Sequence, residues 1–101
     1  MKLFIALLLL ILPASTFGDS YTGIVSEIKH FHDGGIAIDL DGKYPREKMI
    51  LYVPSEDVSA IGAMPPENTN VTAHGVIVPY KGTPEIKMHQ AKQWTWEGKS
   101  P

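Results

Sequence analysis

The chain has 101 residues, a formal net charge of −2, 44% apolar and 20% charged side chains, and no cysteine. Its length and composition fit one globular domain. The lack of cysteine excludes disulfide scaffolds, thiolate metal sites and cysteine nucleophiles. The weakly acidic balance argues against a nucleic-acid binder that relies on bulk positive charge.

The first eighteen residues are typical of a secretory signal. Lys2 gives a basic start, ten apolar residues run from Leu3 to Leu12, and Pro13 ends the run. Ten helical residues rise about 15 Å, half of a bilayer core, so we predict cleavage after Gly18 and no membrane span in what remains. An uncleaved anchor or a buried core helix is the alternative. Residues 19–101 would then form one secreted or periplasmic domain.

Removal of this segment would take Lys2 with it. The remaining 83 residues would carry eight Lys and Arg against eleven Asp and Glu, a net charge of −3. A domain of this size without disulfides has a thin margin of stability and needs a compact apolar core. Small closed β-sheets meet this need because closure removes exposed strand edges.

Three strands are predicted in the first half, over residues 21–31, 36–40 and 48–53. The first is rich in β-branched and aromatic residues, the second alternates apolar and polar residues, and the third is stopped by Pro54. The turn residues Asp33-Gly34-Gly35 separate the first two strands, and this sequence favours a hairpin. The three strands are therefore expected to form an antiparallel meander.

A short helix and two more strands are expected to follow. Ser55 is a suitable N-cap for a helix over residues 57–61, which Gly62 would end. A proline-containing connection leads to a fourth strand over residues 71–80 and a fifth over 85–88. Gly75 would allow the sharp coil that a small barrel needs.

The stretch from Val71 to Met88, VTAHGVIVPYKGTPEIKM, resembles the strand 4, turn and strand 5 unit of OB-fold nucleic-acid-binding domains of the anticodon-binding type. The residues Gly23-Ile24-Val25 are similar to the opening strand of the same domains. The resemblance implies an all-β fold with one short helix, a five-stranded Greek-key OB barrel in the order of three strands, helix and two strands. An open β-meander or another small barrel are the alternatives.

Two histidines, His30 and His32, are weak candidates for a metal site. Both would lie on one face of a strand, since side chains repeat every two residues, and His74 or His89 could supply a third ligand. Four solvated histidines on a polar surface are the more ordinary interpretation. We therefore expect no metal and no cofactor.

Acid–base catalysis would need paired carboxylates, at least one of them buried. Asp39 is predicted on the polar face of its strand and Asp41 in a turn, so neither is expected to be buried. A nuclease of the micrococcal type needs two arginines for phosphate, and the chain has only Arg46. We predict no catalytic residues and no enzymatic activity.

Ligand binding is the function that the resemblance implies. OB-folds bind on the face of strands 2 and 3, between loops that correspond here to residues 32–35 and 80–84. Trp94 is expected to seal the barrel and Trp96 to be free for an interface. The candidate ligand-binding residues are Arg46, Lys48, Tyr52, Tyr80, Lys81, Lys87 and Trp96.

The implied ligand is single-stranded nucleic acid, for which aromatic rings beside cations provide stacking and phosphate contacts. The net charge of −3 counts against phosphate affinity. The alternative is an interaction module of the cell envelope that binds a protein or an oligosaccharide.

Overall fold

The computed structural model describes residues 18–100, so the predicted signal segment lies outside the described residues except for Gly18. The described part is mostly β-sheet with one short α-helix. Within it, no helix has the length and apolar character needed to cross a membrane. The elements in chain order are β1 (Asp19–His30), β2 (Ile36–Leu40), β3 (Met49–Val53), a 3-10 turn (Ser55–Asp57), α1 (Val58–Ile61), β4 (Asn70–Gly75), β5 (Ile77–Tyr80), β6 (Thr83–Lys87), a second 3-10 turn (Ala91–Gln93) and β7 (Trp94–Trp96).

The strands form one open sheet in the order β5-β6-β3-β2-β1-β4-β7. All neighbours are antiparallel except β3 and β6, which are parallel. The first half of β1 pairs with β4 and its second half with β2. The register shifts between Val25 and Glu27, where a bulge increases the local twist and bends β1 from one partner to the other.

Residues 18–100 form seven strands where the sequence led us to expect five. The predicted fourth strand is divided at Val76 into β4 and β5, which pair with β1 and β6 respectively. A further strand, β7, pairs with β4. The two outermost strands of the sheet, β5 and β7, do not pair with each other, so the sheet is open. The strand order therefore does not confirm the closed five-stranded barrel that we predicted.

Gly75 lies at this division because a side chain would not fit there. A Cβ atom at this position would lie 2.6 Å from Cγ2 of Ile86 and 3.2 Å from Nε2 of Gln93. Real Cβ atoms are essentially never found this close to another atom, so a side chain at this position would require Ile86 or the end of β4 to shift. The close approach of β4 to β6 thus depends on tertiary contact, not on the local strand pattern.

The side chain of Gln93 holds the same region together. Its Oε1 accepts hydrogen bonds from the backbone N–H groups of His89 (2.7 Å) and Gln90 (2.9 Å). Its Nε2 donates to the carbonyl oxygens of His74 (3.0 Å) on β4 and Lys87 (3.1 Å) on β6. One buried amide therefore satisfies four backbone groups and links the ends of two strands that do not pair directly in the sheet order.

The core lies on the inner face of the sheet. Ile38, Leu51 and Ile86 are in register on three adjacent strands, and none has accessible surface. Trp94 and Trp96 close one part of it, with ring centroids 5.7 Å apart and an interplanar angle of 86°, the edge-to-face arrangement that aromatic pairs prefer. Ile61 of α1 also enters the core.

The helix begins differently from the prediction. It ends at Gly62 as expected, with a φ of 75°. Ser55 lies in the 3-10 turn that precedes α1, and no side-chain hydrogen bond caps either segment. The Oδ2 atom of Asp57 instead forms a hydrogen bond of 2.7 Å with Nδ1 of His89. This bond connects the start of α1 to the segment after β6.

Candidate ligand-binding groove

The register of β1, β2, β3 and β6 arranges the outer side chains in two rows. Residues that pair directly across a sheet point to the same side, and the inner side is the core. The acid row consists of Glu27, Asp39, Ile50 and Glu85, and the adjacent mixed row consists of Lys29, Ala37, Tyr52 and Lys87.

A groove of about 710 Å³ covers most of these two rows. Its lining includes four aromatic rings, of which Phe31, Tyr44 and Tyr80 are 45%, 68% and 50% exposed. The fourth, Tyr52, is half-buried, with its ring centroid 6.3 Å from that of Phe31. The groove therefore presents several rings to solvent together with charged side chains.

Local turn chemistry positions the rings at one end of the groove. In the β1–β2 turn, the N–H of Gly35 donates to Oδ1 of Asp33 (2.8 Å) and the N–H of Phe31 to the Gly35 carbonyl (2.9 Å). A Cβ on Gly35 would lie 2.6 Å from the hydroxyl oxygen of Tyr52. Glycine at this position therefore lets the Tyr52 ring lie against the turn.

The β5–β6 turn positions Tyr80 in a similar way. Its two central residues, Lys81 and Gly82, have φ values of 50° and 89°. Positive φ at both central positions is the requirement of the type I′ turn, whose twist matches that of a hairpin. The ammonium of Lys81 lies 5.4 Å from the centroid of the Tyr80 ring, so a cation and a ring meet at this edge of the groove.

Asp39 of the acid row lies near a second buried carboxylate, Glu47 of the segment before β3, and we call these two residues with Lys29 and Tyr44 the acid corner. Asp39 has no accessible surface and Glu47 is 9% exposed. Oδ2 of Asp39 is 3.3 Å from the ammonium of Lys29, which also lies 4.8 Å from the centroid of the Tyr44 ring. Oδ1 of Asp39 and Oε1 of Glu47 receive no hydrogen bond from any residue between 18 and 100.

The acid corner is short of positive charge and of hydrogen-bond donors. Burial raises the pKa of Asp39, the ammonium of Lys29 lowers it, and the charges of Glu47 and Glu27 raise it again. Ionised carboxylates are acceptors only, and one ammonium serves this group of acids. A buried acceptor without a donor is an exception in folded proteins.

The remainder of the groove is electrostatically mixed. Burial raises the pKa of Glu85, and the neighbouring Lys87 opposes this shift. Burial also raises the pKa of Tyr52, with the negative charges of Asp33, Glu56 and Glu85 adding to the effect. The charged lining residues are three lysines and three acids, so their formal charges cancel: Lys29, Lys81, Lys87, Asp39, Glu47 and Glu85.

The predicted binding residues do not all lie together. Tyr52, Tyr80, Lys81 and Lys87 line the groove. Arg46 and Lys48 are exposed on the segment before β3 but do not line it. Trp96 lies on β7, is 9% exposed and packs on Trp94, outside the groove lining.

The two candidate metal ligands are both exposed. His30 is the last residue of β1 and His32 lies in the turn that follows. Over residues 18–100, no three His, Asp or Glu side chains are grouped in a way that could hold a metal ion. His89 is engaged with Asp57.

Sequence reasoning missed several groove residues and one property. Lys29, Phe31, Glu47 and Glu85 were among the lining residues not named as site residues, and Asp39 was expected to be solvated. The alternation of β2 does place Asp39 on the outer face. Asp39 has no accessible surface, and Lys29 of β1 and Glu47 of the segment before β3 act on it, which no local pattern predicts.

Comparison with known proteins gives no further indication of function. No family, no curated protein and no solved structure matches this chain. Since function depends on sites and not on folds alone, it has to be inferred here from the groove.

Proposed function

We propose that the chain is a non-catalytic binding module of the OB type, exported by its signal segment, which binds single-stranded nucleic acid in the groove over β2, β3 and β6. The OB assignment is supported by the antiparallel β1-β2-β3 unit, the short helix after β3 and the β5–β6 hairpin. It is also supported by the single residue between β4 and β5. If β4 and β5 act as one strand bent at Gly75, that strand bonds to β1 and to β6 and makes a partly open five-stranded barrel.

The observation that carries the functional proposal is the set of aromatic rings in one groove on the outer face of β2 and β3. OB-folds bind oligonucleotides and oligosaccharides on this face, between the strand 1–2 and strand 4–5 loops. Phe31 follows β1 and Tyr80 precedes the β5–β6 turn, and both line the same groove with Tyr52. Stacking of a base on such a ring contributes roughly 1–3 kcal/mol, whatever the base.

Phosphates contribute less than the bases in this proposal. Lys29 is paired with Asp39, so Lys81 and Lys87 are the groove cations that can reach a phosphate backbone. Two contacts to a single strand give a salt slope of about −1.4, hence a loss of affinity of roughly 7-fold between 50 and 200 mM salt. The ligand would lie with its bases against the rings and its phosphates at the lysine edge.

The test is fluorescence anisotropy with a labelled ten-nucleotide single strand of mixed sequence, at 50 and 200 mM salt. We expect Tyr80→Ala to weaken binding about 5- to 150-fold, which corresponds to the loss of one stack. We expect a Lys81→Ala, Lys87→Ala double variant to flatten the salt dependence. Lys43→Ala is the matched control, because Lys43 is exposed and does not line the groove. Absence of binding at 50 mM salt would refute the proposal.

The balanced charge of the groove favours a second candidate, an oligosaccharide of the cell envelope. Sugar rings also pack on aromatic faces, and carboxylates such as Glu85 accept hydrogen bonds from hydroxyl groups. Binding of a neutral oligosaccharide would be almost independent of salt. A titration that shows saturable binding of such a sugar, with no binding of the single strand, would favour this candidate.

A further inference from the structure

We infer that the acid corner makes the groove selective for bases with an exocyclic amino group, so that cytosine is bound more tightly than thymine. This inference rests on the proposed function. It starts from two acceptors, Oδ1 of Asp39 and Oε1 of Glu47, which are buried beside the groove without a donor among the described residues. A ligand that donates N–H groups there would satisfy what the protein itself leaves unpaired.

No residue between 18 and 100 donates a hydrogen bond to either of these two oxygen atoms. The nearest cation, Lys29, is shared between Oδ2 of Asp39 and the face of Tyr44. The other two groove lysines are Lys81, which follows β5, and Lys87, which ends β6. The charge of Lys87 interacts with the carboxylate of Glu85. The acid corner is therefore a site for an additional donor, flanked by an aromatic ring on which a base can stack.

The corner can be opened without disturbing the core. The side chain of Lys29 is 32% exposed and that of Tyr44 is 68% exposed, so both can move toward solvent while the β2 backbone stays in place. Asp39 belongs to the outer face of β2, and the residues beneath it, such as Ile38 and Leu40, pack on the opposite face. Small movements at the rim would bring a base edge to the carboxylates.

The chemistry of the two pyrimidines then differs at one position. Cytosine presents the N4 amino group as a donor, and carboxylates accept from it. Thymine presents the O4 carbonyl at the equivalent position together with a methyl group. An acceptor placed against Oδ1 of Asp39 and Oε1 of Glu47 donates no hydrogen bond to them, so thymine would leave the corner unsatisfied.

The experiment compares labelled dC10 and dT10 at pH 7.5 and 50 mM salt by fluorescence anisotropy. The two probes have the same length and charge, so the phosphate contribution cancels. We expect dC10 to bind about tenfold more tightly than dT10, which is the effect of one discriminating base contact. Glu67→Gln is the matched control: Glu67 is exposed and does not line the groove, so the preference should persist.

Two variants test the assignment to the corner. Asp39→Asn keeps the shape of the side chain but adds an N–H donor that thymine O4 can accept, so the preference should fall to about twofold or less. Glu47→Gln is the second variant and keeps the test decisive if Asp39→Asn does not fold.

Each outcome distinguishes the two proposals. Equal binding of dC10 and dT10 by the wild-type protein would overturn the acid-corner inference and leave the proposed function intact. A cytosine preference that survives in the folded variants would also overturn it. Failure of both probes to bind would overturn the proposed function and the inference with it.

Discussion

The ion pair between Lys29 and Asp39 predicts unequal effects when either partner is removed. Breaking a buried pair by removing one partner costs about 3–5 kcal/mol when the other charge stays buried. Here the side chain of Asp39 is 0% exposed and that of Lys29 is 32% exposed, so water screens part of the attraction. We expect Lys29→Met to lower the free energy of unfolding by about 2 kcal/mol at pH 7. Asp39→Asn removes the buried charge instead, and we expect a change of less than about 1 kcal/mol.

The pH dependence has a definite sign. Burial raises the pKa of Asp39 in the folded state above its ordinary value, so the folded protein binds this proton more tightly than the unfolded chain. The contribution of Asp39 to stability therefore increases as the pH falls through the raised pKa. Loss of the Lys29 ammonium raises that pKa further, so the deficit of Lys29→Met should shrink as the solution is acidified. Asp39→Asn should show no such trend.

Urea unfolding followed by the fluorescence of Trp94 and Trp96 measures these differences, since both indoles are buried in the core. Lys87→Met is the matched control, because Lys87 lies in the same row but is exposed, and we expect it to change stability by less than about 0.5 kcal/mol. If Asp39→Asn cost as much as Lys29→Met, the buried carboxylate would not be the uncompensated group, and the reasoning about the acid corner would be refuted.

Three further predictions concern the scaffold. Gly75→Ala should lower the free energy of unfolding by about 1–3 kcal/mol through overpacking, as measured by urea unfolding. In a protein that already carries Ile86→Leu, which removes the opposing methyl group, the same substitution should cost clearly less. Equal costs in the two backgrounds would show that the contact between residue 75 and Ile86 is not the cause. Gln93→Ala removes four hydrogen bonds to backbone and should cost about 2–3 kcal/mol, seen as a lower Tm. Tyr21→Phe removes the hydroxyl that donates to Asp41 at 2.6 Å and should cost about 1 kcal/mol at pH 7. Burial, followed by the hydrogen bond to Asp41, raises the pKa of Tyr21 from 10.0 to about 12, so the wild-type protein should lose this advantage between pH 10 and 12, while Tyr21→Phe has none to lose.

Elements that depend on neighbouring residues were predictable from the sequence. β2 and β3 lie where alternation and turn residues predicted them, within one residue at each end. The end of α1 at Gly62 and the hairpin around Gly34 were predicted for the same reason. Each of these signals concerns backbone geometry over a few residues, which the sequence states directly.

The observed strands differ from the predicted ones where contacts between residues far apart in the sequence determine the structure. Gly75 indicated a sharp coil in the run from residue 71 to residue 80, but the close approach of Ile86 and Gln93 to it could not be predicted from the local sequence. The short strand β7 forms because Trp94 and Trp96 pack into the core while pairing with β4, and a three-residue segment has no periodicity to reveal this.

The same distinction applies to the groove. The alternation of side chains along β2 and β3 places Asp39 and Tyr52 on the outer face of the sheet, and this could be predicted. The burial of Asp39 and its electrostatic surroundings could not, because Lys29 comes from another strand and Glu47 from the connecting segment. Strand alternation predicts on which face of the sheet a side chain lies. How deeply that side chain is buried depends on which connecting segments pack over the face.

Selection for stability alone would not keep an ionisable group at position 39. An asparagine would fill the same space without a buried charge, and Lys29 is exposed enough to be solvated without its partner. A ligand that supplies the missing donor would account for a buried acceptor without a partner beside a ring-lined groove. The proposal therefore requires stability and base preference to respond differently to one substitution. Asp39→Asn should leave stability nearly unchanged or improve it while it removes the cytosine preference, and loss of both together would mean that Asp39 serves only the fold.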